Sequence, residues 1–158
     1  MVRVSALLLL GVLTAAPAFA ADTSLSAEAN KAYLDSNARK AGVTVIPGVQ
    51  YRVLKSGSGP QPGRHDCVTV NYKGSLINGK VFDQTKGTPA TFEVSGVIAG
   101  WTEVLQLMHA GDDWEVTIPS GLAYGKAGAG NGVIPADQTL VFDIQLLKID
   151  PPGPGGCG

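Results

Sequence analysis

Charged and aromatic side chains are both scarce in this sequence, at 16% and 6% of 158 residues. The net charge is −1 with the two signs interspersed, so no basic stripe exists for nucleic acid or for a membrane surface. Histidine occurs only at His65 and His109, which excludes a His-rich metal site. His65-Asp66-Cys67 reads as the lead-in to a strand, because neighbouring strand residues point to opposite faces. Neither a G-x-S-x-G nucleophile elbow nor an H-E-x-x-H pair occurs. Residues 121–127 fall one residue short of a phosphate loop and carry Ala127 where the magnesium-ligating hydroxyl belongs. Val133-Ile134-Pro135 follows, and it cannot begin a helix interior. No nucleotide, metal or other cofactor is expected.

Cysteine is equally sparse, with Cys67 and Cys157 alone. In an oxidising compartment an even pair invites a disulfide that closes a long loop. The alternative is a buried strand cysteine with an incidental thiol in the tail. It carries slightly more weight, since spacing does not supply disulfide geometry.

The first twenty residues differ in kind from the rest. Met1-Val2-Arg3 supplies a positive charge, residues 6–13 form an apolar run, and Ala18-Phe19-Ala20 is a small-x-small cleavage signal. They read as a secretory signal peptide removed after Ala20, which makes the mature chain periplasmic or secreted. The apolar run is short against the ~20 residues of a membrane span. No cysteine follows it to carry a lipid, so no membrane attachment is expected after cleavage.

The full chain is 44% apolar, with 21 glycines and 10 prolines, and what remains suits one turn-rich sheet domain rather than two domains. Residues 26–41 have helical signals: Ser26 as cap, Glu28 in the first turn, Arg39 and Lys40 in the last, Gly42 as stop. The apolar residues of this segment are mostly alanine, so a solvated arm or a small packing element is expected. Pro47-Gly48 marks a turn before the main domain. Period-two patterns then predict strands over 49–54, 67–72, 90–94, 114–118 and 139–147. Asn78-Gly79 predicts a hairpin with φ > 0 at both turn positions. Residues 97–108 switch to helical spacing, with Trp101 above Leu105 and Val104 above Met108. Residues 120–137 form an irregular loop, and residues 151–158 cannot add to a sheet. The division is a signal peptide over 1–20, an arm over 21–47, a domain over 48–148 and a flexible Pro/Gly tail over 149–158. The fold class is α+β, with mostly antiparallel strands and one central helix.

Several of the few aromatics fall at marked positions: Tyr72, Phe82, Trp101, Tyr124 and Phe142. An apolar cleft built from such residues is a normal ligand pocket, although each residue alone is more often core. The local strings separate these readings. Val70-Asn71-Tyr72-Lys73-Gly74, Asn78-Gly79-Lys80-Val81-Phe82-Asp83, Val97-Ile98-Ala99-Gly100-Trp101, Ala123-Tyr124-Gly125, Val133-Ile134-Pro135 and Thr139-Leu140-Val141-Phe142-Asp143 occur in order. Together, from about Gly48 to Lys148, they resemble the FKBP-type peptidyl-prolyl cis-trans isomerases.

The resemblance implies a twisted antiparallel β-sheet wrapped around one short central α-helix, with the pocket between them. It implies catalytic roles for Tyr72, Phe82, Asp83, Trp101, Tyr124 and Phe142, and substrate binding by Val97, Ile98 and Ile134. Trp101 would form the floor, and the Ile98 N–H and Tyr124 hydroxyl would hold carbonyls of the ligand. Proline-containing polypeptides are the implied partners and macrolides the implied inhibitors. The short arm lacks the long helical dimerisation region of some exported relatives, so a monomer is expected. The chain departs from the family between Asp83 and Pro89, where it is shorter and lacks an arginine near the rim carboxylate; Lys86 is the substitute. Ala90 stands where many members have an aromatic, which lowers that wall, and the loop over 126–132 carries small residues. A non-catalytic module that binds polypeptides as a chaperone is the alternative.

Overall fold

The computed structural model describes residues 23–157; the signal-peptide reading of residues 1–20 lies outside them. The chain runs α1 (Ala27–Asn37), β1 (Val43–Ile46), β2 (Val49–Lys55), β3 (Cys67–Leu76), β4 (Val81–Gln84), β5 (Ala90–Glu93), α2 (Ala99–Leu105), β6 (Asp113–Ile118) and β7 (Leu140–Asp150). The strands form one sheet in the order β1-β2-β6-β7-β3-β4, with β5 paired to the first half of β3. Every pairing is antiparallel. The fold is α+β, as expected, but with seven strands instead of about five.

Alternation explains which face is inside. Leu140, Phe142, Ile144 and Leu146 of β7 are buried, while Asp143 and Gln145 between them look outward. Val116 and Ile118 of β6, and Val68, Val70 and Leu76 of β3, join them under α2. That helix is shorter than its pattern suggests, and Met108 stays buried because a tight turn beyond Leu105 returns it to the core. Thr102 Oγ1 donates to Val94 O at 2.7 Å, which absorbs its polarity inside.

The turn at Asn78-Gly79 differs from the expected two-residue type. Only Gly79 has positive φ (85°), Gly79 N–H donates to Leu76 O and Leu76 N–H to Lys80 O. This is a type I turn closed by a glycine bulge, the usual three-residue hairpin. Residues 43–46 were expected in the arm, yet they add a strand, with Val43 opposite Arg52 and Ile46 opposite Val49.

The tail also departs from expectation. β7 continues to Asp150, which pairs with Cys67, so residues leaving the strand start beside that cysteine. The Gly153–Gly156 turn folds the chain back, and Cys157 forms a disulfide with Cys67 across 90 residues. The slightly favoured reading of two free thiols is therefore corrected.

Candidate active site

Strand β3 has inward positions at Tyr72, Gly74 and Leu76 where it crosses β7, and Gly74 sits opposite Phe142. A Cβ at Gly74 would come within 2.6 Å of Phe82 and 2.7 Å of Phe142. The missing side chain is what lets those two rings meet edge to face, 5.7 Å apart at 86°. Trp101, on the inward face of α2, is 4% exposed and is approached by three other rings. Tyr72 lies at 5.3 Å and 88°, Phe142 at 5.3 Å and 82°, and Phe92 at 5.9 Å and 89°. Near-perpendicular contacts place positive ring edges against negative faces, each worth about 0.5–1.5 kcal/mol beyond burial. The indole is thus held in one orientation from three sides.

These rings enclose a cavity of about 450 Å³ lined by Tyr72, Phe82, Asp83, Phe92, Gly96, Val97, Ile98, Trp101, Tyr124 and Phe142. Eight of the nine residues expected at the site are among them. Ile134 is not: it is 6% exposed, packs in the core and exchanges backbone hydrogen bonds with Ala129. Phe92 and Gly96 were missed. Phe92 lies one pleat beyond Ala90 on the same strand face. Ala90 pairs with Val70 and does not line the cavity, whereas Phe92 does.

Asp83 is the sole ionisable carboxylate in the lining. Tyr72 Oη donates to Asp83 Oδ2 at 2.5 Å, and Gln84 N–H donates to Oδ1 at 2.9 Å. Burial pushes the Tyr72 phenol above its ordinary range, and the carboxylate accepting its proton pushes the same way. Among the described residues no basic side chain lies within ion-pairing distance of Asp83, so Lys86 does not replace the missing arginine. Tyr72 and the Gln84 amide orient the carboxylate instead. The Tyr72 backbone is itself clamped by Thr85: its N–H donates to Thr85 Oγ1 at 3.1 Å and its carbonyl accepts from Thr85 N at 3.0 Å.

Two polar groups remain for a ligand. The Ile98 carbonyl caps α2 by accepting from Trp101 and Thr102, while its N–H has no partner among the described residues. Tyr124 is 40% exposed at the mouth, on a loop whose base is tied by Asp137 N–H donating to Gly125 O at 2.8 Å. No cluster of metal-binding side chains occurs among the described residues.

A seven-strand antiparallel sheet around a short helix, with a ring-walled cleft and one rim carboxylate, has the form of a concave apolar ligand site. The family model described as FKBP-type peptidyl-prolyl cis-trans isomerase matches residues 59–147, and the chain belongs to that family. It is 49% identical over 136 residues to the "Outer membrane protein MIP" of Legionella longbeachae, covering 82% of this chain and 58% of that protein. It is 50% identical over 129 residues to the FKBP-type 22 kDa peptidyl-prolyl cis-trans isomerase of Escherichia coli K12, covering 80% and 62% respectively. The crystal structure of FkpA from Escherichia coli superposes with a TM-score of 0.73 at 45% identity, covering 77% of this chain and 58% of that one. A peptidyl-prolyl cis-trans isomerase structure from Pseudomonas syringae pv. tomato gives 0.74 at 38% identity, covering 78% and 92%. The chain spans about three fifths of the length of the two curated relatives named here.

Proposed function

We propose that this chain catalyses cis–trans isomerisation of X-Pro peptide bonds in exported polypeptides. The observation that carries the reading is the indole of Trp101 at the floor of a ring-walled cavity with no nucleophile in its lining. Rotation about a peptide bond meets a barrier of about 18–20 kcal/mol because amide resonance is lost. No covalent bond breaks, so the lining needs none of the groups it lacks.

In this reading the proline ring packs on Trp101 between Tyr72, Phe82 and Phe142. The Ile98 N–H and Tyr124 hydroxyl hold carbonyls on either side of the rotating bond, and Val97 shapes the wall. Ile134 acts from behind, by supporting the Tyr124 loop. An apolar wall disfavours the polar planar amide more than the twisted, less delocalised form. A rate gain of about 10⁴ requires about 5–6 kcal/mol of such differential binding. Asp83 orients Tyr72 and leaves one negative charge at the rim. The same cavity is the proposed seat of macrolide inhibitors.

Export is supported by the Cys67–Cys157 disulfide, since such bonds persist in oxidising compartments. A protease-coupled assay on an X-Pro peptide tests the activity. Turnover above the uncatalysed rate is expected. A wild-type rate equal to buffer would overturn catalysis and leave the polypeptide-binding module.

A further inference from the structure

The matched family region begins at residue 59, so α1, β1 and all of β2 lie outside it. Helix α1 has a weakly apolar composition, and it is nevertheless docked. Two of its side chains are buried, and both are asparagines: Asn30 is 5% exposed and Asn37 is 2% exposed.

Asn30 reaches the far end of the loop that carries Tyr124. Its Oδ1 accepts from Thr139 N at 2.7 Å, which fixes the amide's orientation, because a backbone N–H needs an acceptor. Its Nδ2 donates to Gln138 Oε1 at 3.2 Å and to the Leu25 and Ser26 carbonyls. Gln138 Nε2 donates back to Leu25 O and also to Ala136 O, inside the loop. The near end of the loop meets the same N-terminal segment. Gly48, in the β1–β2 turn at φ +96°, packs so closely on Leu122 that a Cβ there would lie 2.5 Å from Leu122 Cδ1. Leu122 is two residues before Tyr124.

We propose that residues 25–48 are a buttress that holds both ends of the 122–139 loop, with Asn30 a positioning residue for Tyr124. Between those ends the loop is held by two single turns, the Ala129–Ile134 bridge, the Asp137 N–H to Gly125 O hydrogen bond and the buried Ile134 side chain. Its anchored ends add to these contacts in setting where Tyr124 stands at the cavity mouth. Placement of such a group within about 1 Å matters for turnover. This rests on the isomerase reading for its effect on rate, but not for its effect on the loop.

Asn37 is the internal control. It has the same side chain, helix and depth, yet it bonds Gln50 and Thr117 on the outer sheet face, away from the loop. The test is hydrogen exchange of the amides at 121–138 in the full chain, with kcat/KM on an X-Pro peptide beside it. Asn30→Ala should speed loop exchange about tenfold, as local opening becomes easier, and lower kcat/KM by about the same factor. Asn37→Ala should leave both within about twofold of wild type. Equal effects of the two variants, or no effect of Asn30→Ala on the loop, would overturn the buttress. Should Asn30→Ala not fold, Gln138→Leu removes the same contact from the loop side, and unchanged loop exchange there is equally decisive. An inactive wild type would overturn the isomerase reading and leave the exchange comparison to judge the buttress.

Discussion

The cavity and the seat of α1 are built with opposite chemistry. Around Trp101 the contacts are ring against ring, and the one charged group sits at the rim. Under α1 they are amide against amide: Asn30, Asn37, Gln50 and Gln138 are all buried and joined by side-chain hydrogen bonds. Ring contacts are individually weak but many, so a void among them forfeits several at once. A buried amide that loses its partner costs about 1–3 kcal/mol at once. Removing one ring should therefore cost more than removing one amide, whose loss is confined to the partners it leaves unpaired.

The largest expected effect lies on the ring side. Phe142→Ala removes a neighbour of both Trp101 and Phe82 and opens a void in a packed core, at a cost of about 3–5 kcal/mol. Denaturant unfolding should show that loss, and turnover should fall with it in conditions where the variant is still folded. Full turnover in the folded variant would remove Phe142 from the site. Next comes the covalent tie. Cys157→Ser releases the tail from β3 and should cost about 2–4 kcal/mol, by freeing a loop of 90 residues in the unfolded chain. Because the disulfide is anchored at the far end of β3 from Gly74, turnover of the folded variant should stay near wild type. A matching loss of rate would mean that the tail reaches the pocket.

How much of each region was legible follows from the same contrast. Tyr72, Phe82, Trp101 and Phe142 are members of rare residue types standing in ordered strings, and the structure gathers all four around one cavity. Phe92 was within reach of the alternation in Ala90-Thr91-Phe92-Glu93 but stood one pleat from the position compared. The seat of α1 left no pattern, because asparagine and glutamine carry no periodicity and the partners that dock the helix are 13 to 113 residues away. The disulfide was illegible for a related reason. Only the β3–β7 register, which sets Cys67 opposite Asp150, brings the two cysteines within range. β1 was hidden because it pairs only with its own hairpin partner, at the edge of the sheet.

A smaller effect is expected on the amide side. Asn37→Ala strips Gln50 and Thr117 of a buried donor and should cost about 1–3 kcal/mol in thermal or denaturant unfolding. Its Oδ1 has no partner among the described residues, so part of that cost is already offset in the wild type. A loss as large as that of Phe142→Ala would erase the distinction between the two regions.

The smallest effect belongs to the rim, where the two chemistries meet in one hydrogen bond. Tyr72 keeps its proton above the ordinary tyrosine value of 10.0, through burial first and the Asp83 carboxylate second. Below pH 10 both folded and unfolded phenols are neutral, and the stabilisation is complete. As pH rises past 10 the unfolded tyrosine ionises while Tyr72 holds its proton, so stability falls until Tyr72 itself ionises. An ultraviolet absorbance titration of the folded chain should therefore show Tyr72 titrating last, with Tyr33, which burial also raises, lagging as well. Asp83→Asn removes the negative charge but not the burial, so the Tyr72 lag should shorten without vanishing. The change in global stability at neutral pH should be about 1 kcal/mol or less for a bond at this exposed rim. A lag unchanged by Asp83→Asn would mean that burial alone holds the proton, and that the carboxylate's part at this site is to face the ligand.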